Sequence, residues 1–251
     1  MKNPENLSKK QEDLLTSIME NVPVATEITL NFPSESKIYK LQDPEKPVTI
    51  RPMNYEDEIA LVSLKDEEGY DPLNLILDRC LNNISVYELL EMDKLYALIK
   101  LREISYGDSY RVNVICPKCK EENPLTIKLS KDLNILPIPD DLEDPREVLL
   151  PTINKPAIVK FPRVRDEQYQ QATEGAVSNM WRFVTSIAGV EDKGVIAEAI
   201  KQMPIKDRQT LRNAIRGEDF GVETKIKLKC GKCEKLTIID LPLGEGFFDV
   251  S

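Results

Sequence analysis

Histidine is missing altogether from the 251 residues. Its absence excludes a Ser-His-Asp triad, a histidine general base and every histidine metal ligand. Aromatic residues amount to 6%, with a single tryptophan. No apolar run approaches the ~20 residues that a membrane-crossing helix needs. Neither a P-loop nor a GxGxxG occurs, and Gly244-Glu245-Gly246 reads as a lone turn. Carboxylate pairs such as Asp140-Asp141 and Glu67-Glu68 read as solvated loop charge rather than as an acid/base couple. Basic residues are outnumbered, 34 against 43 acidic, for a net charge of −9. A surplus of that sign argues against a broad binder of nucleic acid or anionic membrane, although a local basic patch is compatible with it.

What is present suffices for a packed core: 41% of the residues are hydrophobic and 31% charged, which excludes global disorder. The length suits one large domain or two small ones. The five cysteines are Cys80, Cys116, Cys119, Cys230 and Cys233. An odd number in a lysine-rich chain, behind a polar stretch (Met1 to Lys10) with no apolar h-region, points to a reducing cytoplasm and no signal-dependent export.

The predicted fold is α+β. Residues 1–20 read as a polar arm and a short amphipathic helix, and 21–53 as a β meander with runs at 24–32, 37–41 and 47–51. Residues 54–108 read as helical, with Asn54 and Asp71 as N-caps, Pro72 in a first helical turn and Gly107 as a stop. Cys80 falls on an apolar helix face and reads as a core thiol. Residues 109–130 and 222–243 each read as strand, CxxC turn, strand; "VNVICPKCKEENPLTIKL" and "TKIKLKCGKCEKLTIIDL" look like copies of one hairpin. Between them, 131–221 reads as a proline-rich connector with one strand (157–161), a helix over 165–188 and two shorter helices. Phe247 and Phe248, in the segment 244–251, form an apolar patch that can dock on its own core or insert into a neighbour.

A CxxC at a hairpin tip turns two sulfurs the same way, and two such tips supply the four soft ligands of a tetrahedral zinc site. Cys116, Cys119, Cys230 and Cys233 are therefore the predicted ligands of a structural Zn2+, in a zinc ribbon made of two hairpins with a long insertion between them. Four thiolates close the shell, which argues for stability rather than catalysis. An iron–sulfur cluster is permitted by the same ligand set. A redox dithiol needs a CxxC that opens a helix, whereas each motif here precedes a β run. Lys118, Lys120, Lys227, Lys229, Lys232 and Lys235 make the ribbon locally basic, but no aromatics interleave for base stacking.

The run "VTIRPMNYEDEIAL", a leucine-rich helical stretch and "LREISYGDSYRVNVICPKC" resemble the baseplate hub proteins of T-even-type contractile-tailed bacteriophages, the family of the gene twenty-six product, chiefly over residues 45–130. The resemblance implies a non-enzymatic baseplate component (hub or wedge) or an assembly factor for one. It implies other baseplate and tail proteins as partners, with no small-molecule substrate and no membrane. Its places would be the host cytoplasm during assembly and the virion tail baseplate. A zinc-ribbon nucleic-acid binder is the competing reading, and a dithiol oxidoreductase the third.

Overall fold

The computed structural model describes residues 8–20, 26–63, 71–169, 179–216, 220–241 and 245–248. Among them it holds helices and small antiparallel sheets, an α+β arrangement. Among the described residues no helix is long and apolar enough to cross a membrane.

Helix α1 (Lys9–Met19) opens on Ser8, whose backbone N–H donates to Gln11 Oε1 at 2.9 Å. None of its residues is buried, so among the described residues nothing covers its apolar stripe. The meander forms with a different third member. Strands β1 (Ile28–Thr29), β2 (Thr49–Ile50) and β3 (Leu81–Asn82) pair antiparallel in the order β1-β2-β3. The run expected at 37–41 is not a strand. Glu35 and Ser36 adopt positive φ (52° and 58°), and the Tyr39 hydroxyl turns inward to Asp93. Those turns place Tyr39 for burial and leave the ladder edge to β3. The expected strand start at 24–25 lies outside the described residues.

Helices α2 (Tyr55–Ser63), α3 (Pro72–Cys80) and α4 (Glu91–Tyr106) follow. The start of α2 is a reciprocal cap: Asp57 N–H donates to Asn54 Oδ1, and Asn54 N–H donates to Asp57 Oδ2, both at 3.0 Å. Asp57 also takes Arg51 at 2.6 Å and Arg79 at 2.8 Å, so a fully buried carboxylate is paired on two sides. These contacts hold its pKa below the usual carboxylate value despite the opposing effect of burial. At the start of α3, Asp71 Oδ1 accepts from Leu73 N–H at 3.0 Å, with Pro72 in the first turn. Gly107 ends α4 at φ 90° and donates to Glu103 O at 2.9 Å.

Strands β4 (Ser109–Ile115) and β5 (Glu122–Lys128) form one hairpin, and β11 (Lys225–Lys229) with β12 (Leu236–Asp240) forms another. Their inner residues join the main core with Ile50, Leu77, Leu101 and Ile127. Phe247 and Phe248 belong to the same core. Phe247 is 1% exposed, lies edge-on to Tyr110 at 4.8 Å, and its carbonyl accepts from buried Arg102 Nε at 3.0 Å. The apolar terminal patch docks on its own chain.

The insertion differs from expectation. Strand β6 (Asn134–Leu136) pairs with β10 (Gly221–Glu223), tying together its two ends. Strands β7 (Arg146–Leu150), β8 (Lys155–Val159) and β9 (Val184–Ile187) make a three-stranded sheet, not an extended connector with one strand. The helix expected over 165–188 is replaced at its described ends by 3-10 turns (Val164–Tyr169 and Met180–Phe183) and by β9; 170–178 lie outside the described residues. Val184, Ser186 and Ile187 are buried and Thr185 exposed, so a segment whose apolar spacing suited a helix is captured by the neighbouring β8. Helices α5 (Lys193–Gln202) and α6 (Ile205–Arg216) cover that sheet and close a second core around Leu150, Val159, Val184, Ile196 and Leu211. Fully buried Asp207 caps the β7–β8 turn by accepting the backbone N–H groups of Thr152 and Ile153 at 2.7 and 3.2 Å.

Candidate metal centre

The two hairpin tips repeat one backbone pattern. Cys116 N–H donates to Glu121 O at 2.8 Å and Lys120 N–H donates to Cys116 O at 2.9 Å. In the second tip, Cys230 N–H donates to Lys235 O at 3.1 Å and Glu234 N–H donates to Cys230 O at 3.0 Å. The residue after each second cysteine is left-handed: Lys120 at φ 61° and Glu234 at φ 53°. Neither is glycine, so each tip carries backbone strain that its hydrogen bonds must offset. The sequence offered no signal for this conformation, because lysine and glutamate do not ordinarily mark it.

The fold brings the tips face to face. All four Sγ atoms of Cys116, Cys119, Cys230 and Cys233 lie within 4.8 Å of one another. Cys116 and Cys233 are 3.8 Å apart, and Cys119 and Cys230 are 3.6 Å apart. A regular tetrahedron with metal–sulfur bonds of ~2.3 Å has edges of about 3.8 Å, so this spacing suits a four-thiolate metal site. The first cysteine of each pair is buried and the second half-buried.

Asn123, which sequence reasoning missed, ties the tips together. Its Nδ2 donates to Glu121 O at 2.9 Å and lies 3.7 Å from Cys230 Sγ, and its Oδ1 accepts Gly231 N–H at 2.8 Å. Outside, Lys232 Nζ meets Glu121 Oε2 at 2.7 Å. No motif predicts Asn123; only the facing of the two hairpins gives it a role.

The thiols are electrostatically divided. Backbone N–H groups of Cys233 and Lys232 draw the Cys230 pKa down to about 6. Those of Cys119 and Lys118 lower Cys116. At Cys119 the Glu121 backbone also favours the thiolate, but burial and three neighbouring sulfurs outweigh it and push the thiol up to about 12. Four negative sulfurs cannot coexist here without a cation, so the cluster's chemistry fits a thiophilic metal such as zinc or iron. Cys80 lies apart, buried with its Sγ 3.9 Å from Asp57 Oδ2; burial raises its pKa to about 12, which keeps it an inert core thiol.

Lys227, Lys229, Lys232 and Lys235 are all exposed around the second hairpin, and Lys118 and Lys120 around the first. A sequence-family model described as T4 bacteriophage base plate protein matches residues 33–249. That is most of the chain, which belongs to this family. No curated protein and no solved structure matches it.

Proposed function

We propose that this member of the T4 bacteriophage base plate family is a non-enzymatic part of a contractile-tail baseplate, as a hub or wedge component or as an assembly factor for one. It would work through contacts with other tail proteins around a structural zinc held by Cys116, Cys119, Cys230 and Cys233. The observation that carries the metal is the sulfur tetrahedron at the two facing tips. Family membership carries the assembly role.

Bound zinc would supply charge neutralisation and a cross-link between the two CxxC pairs. The residues then divide the labour. The hairpins enter the main core through residues such as Ile127 and Ile226, while β6 pairs with β10 across the two ends of the insertion and Leu90, Ile138, Phe161 and Phe220 form a smaller cluster of their own. Apolar cores with their surfaces held in a fixed relation suit a protein that presents faces to neighbours. A gene twenty-six-type hub identity is the finer reading, favoured by the stretches that flank the first CxxC. The host cytoplasm during assembly and the virion tail follow as its locations.

Two measurements test the proposal. Elemental analysis of purified protein should give one zinc per chain; a chain that carries none, or carries iron–sulfur absorption, overturns the zinc assignment. Mass spectrometry of purified virions and of baseplate intermediates should find the chain at fixed stoichiometry in virions if it is a component, and in intermediates alone if it is an assembly factor. Its absence from both overturns the baseplate role. The exposed lysines favour one competing reading, a nucleic-acid-binding ribbon. That reading requires salt-sensitive DNA or RNA binding weakened by Lys227→Glu or Lys232→Glu.

A further inference from the structure

Two exposed faces of the described residues carry apolar side chains amid charge mainly of one sign, and the prevailing signs are opposite. The first is the outer face of the β11–β12 hairpin. Its register sets Lys225 opposite Asp240, Lys227 opposite Ile238 and Lys229 opposite Leu236. Directly paired residues share a face, so three exposed lysines run alongside an aliphatic pair, with one carboxylate, Asp240, at the end beside Lys225. Leu236 is 68% exposed and Ile238 64% exposed, although Leu228 on the other side of the same ladder is buried. The second face is on α2. Tyr55, Ile59 and Val62, at steps of four and three residues, form one stripe at 75%, 47% and 67% exposure. Beside it stand Glu56 and Glu58, and α2 contains no basic residue. Glu58 accepts the Tyr106 hydroxyl at 3.0 Å, and Glu56 lies 3.9 Å from Arg79; both side chains remain open to solvent.

We propose that these faces are the two halves of one contact, and that the chain associates with a second copy of itself by setting the acidic α2 stripe of one protomer on the lysine-flanked Leu236–Ile238 face of the other. The dimensions agree. Tyr55 to Val62 rises about 10 Å along a helix, and Lys225 to Lys229 spans about 14 Å along a strand. Spacing of four and three is how a helix presents anchors to an apolar surface. Charge complementarity then selects orientation and partner. The net charge of −9 on each copy repels at long range, but salt screens that repulsion beyond ~8 Å while ion pairs in contact persist. The aliphatic pair separates this face from a nucleic-acid groove, which would need aromatic platforms among its lysines. Helix α1 is a poorer occupant, since Lys9 and Lys10 mix with Glu12 and Asp13 along it. Each protomer has one face of each kind, so two copies can close on each other through two equivalent contacts, or the contact can propagate head to tail. The inference is independent of the baseplate reading, because both faces belong to the isolated chain.

The test uses full-length protein in sedimentation velocity over a range of concentrations, at ~0.15 M salt, where the long-range repulsion is screened, and at ~1 M, where the contact ion pairs are screened as well. Wild type should gain mass with concentration at the lower salt and lose the gain at the higher. The Lys227→Glu/Lys229→Glu variant and the Glu56→Lys/Glu58→Lys variant should each stay monomeric. Mixed together they should form a 1:1 complex, because the first keeps an acidic α2 and the second keeps a lysine face. Thermal melting checks that both are folded. If the α2 variant melts early, Val62→Ser and Leu236→Ser replace it and should weaken self-association. A wild type that is monomeric at every concentration overturns the proposal. So does failure of two folded variants to associate on mixing. Loss of association on deleting residues 1–20 overturns it in favour of α1, and tight low-salt DNA binding by a wild type that stays monomeric reassigns the lysine face to nucleic acid.

Discussion

Loading and stripping the zinc proposed for the cysteine cluster is the perturbation whose size the fold predicts most directly. In the unfolded chain either CxxC pair can still hold zinc with two sulfurs, but joining the pairs must close a loop. The cysteines that meet at 3.6 Å, Cys119 and Cys230, are 111 residues apart in sequence. Closing a loop of that length costs about 4.8 kcal/mol by chain-entropy reasoning. The native fold has already met this cost through the main core, so saturating zinc should favour the folded chain by up to about 4.8 kcal/mol. For a chain of this size that corresponds to a melting shift of roughly 10–20 °C. Calorimetry of the zinc-loaded protein, with and without a strong chelator, measures it. Hydrogen exchange should locate the loosening at 116–123, 229–236 and the β6–β10 root, while the second core around Leu150, Val159 and Leu211 keeps its protection. Cys119→Ser should reproduce most of the shift. Equal melting temperatures for loaded and stripped protein would refute the cross-link reasoning, and a loss of protection throughout 146–216 would refute the independence of the second core.

Phe247→Ala should cost about 3–5 kcal/mol, since a side chain 1% exposed leaves a cavity against Tyr110; the midpoint of urea unfolding should fall while zinc content stays unchanged. Asp57→Asn should destabilise by about 3–5 kcal/mol at neutral pH by leaving Arg51 and Arg79 without their shared carboxylate. Because the folded pKa of Asp57 is lowered, its contribution is present above the unfolded value and is lost as pH falls through the folded one. The gap between wild type and variant should therefore narrow in acid below the ordinary carboxylate pKa, and a constant gap down to pH 2 would contradict the pairing. Gly221→Ala should lower the melting temperature, because φ is +106° and the added Cβ would stand 2.7 Å from Met92 Cβ; a melting temperature at or above wild type would show that α4 can move aside.

Legibility in the sequence tracked the range of the forces involved. The Asn54 and Asp71 caps, Pro72 in a first turn and the Gly107 stop are short-range devices, and each stands where local chemistry puts it. The CxxC tips were equally readable, because two residues between cysteines is a local constraint. The errors fell where long-range pairing decides. Residues 184–187 carry apolar spacing that serves a helix or a buried strand, and β8 chose the strand. Residues 37–41 look extended, but the pull of Asp93 on Tyr39 turns them. The third strand of the meander lies beyond two helices, at Leu81–Asn82, where no local pattern could announce its partner.

For the site, the identity of the four sulfurs, the lack of any histidine alternative and the apolar pair Phe247–Phe248 were all contained in the amino-acid order. That order did not contain the meeting of residues more than a hundred positions apart, the bridging by Asn123, the docking of Phe247 on Tyr110, or the opposite signs of the α2 and β11–β12 faces. Chemistry within one turn is set by neighbouring residues. Juxtaposition is set by which apolar surfaces the cores can bury at once, and only the folded chain makes that choice.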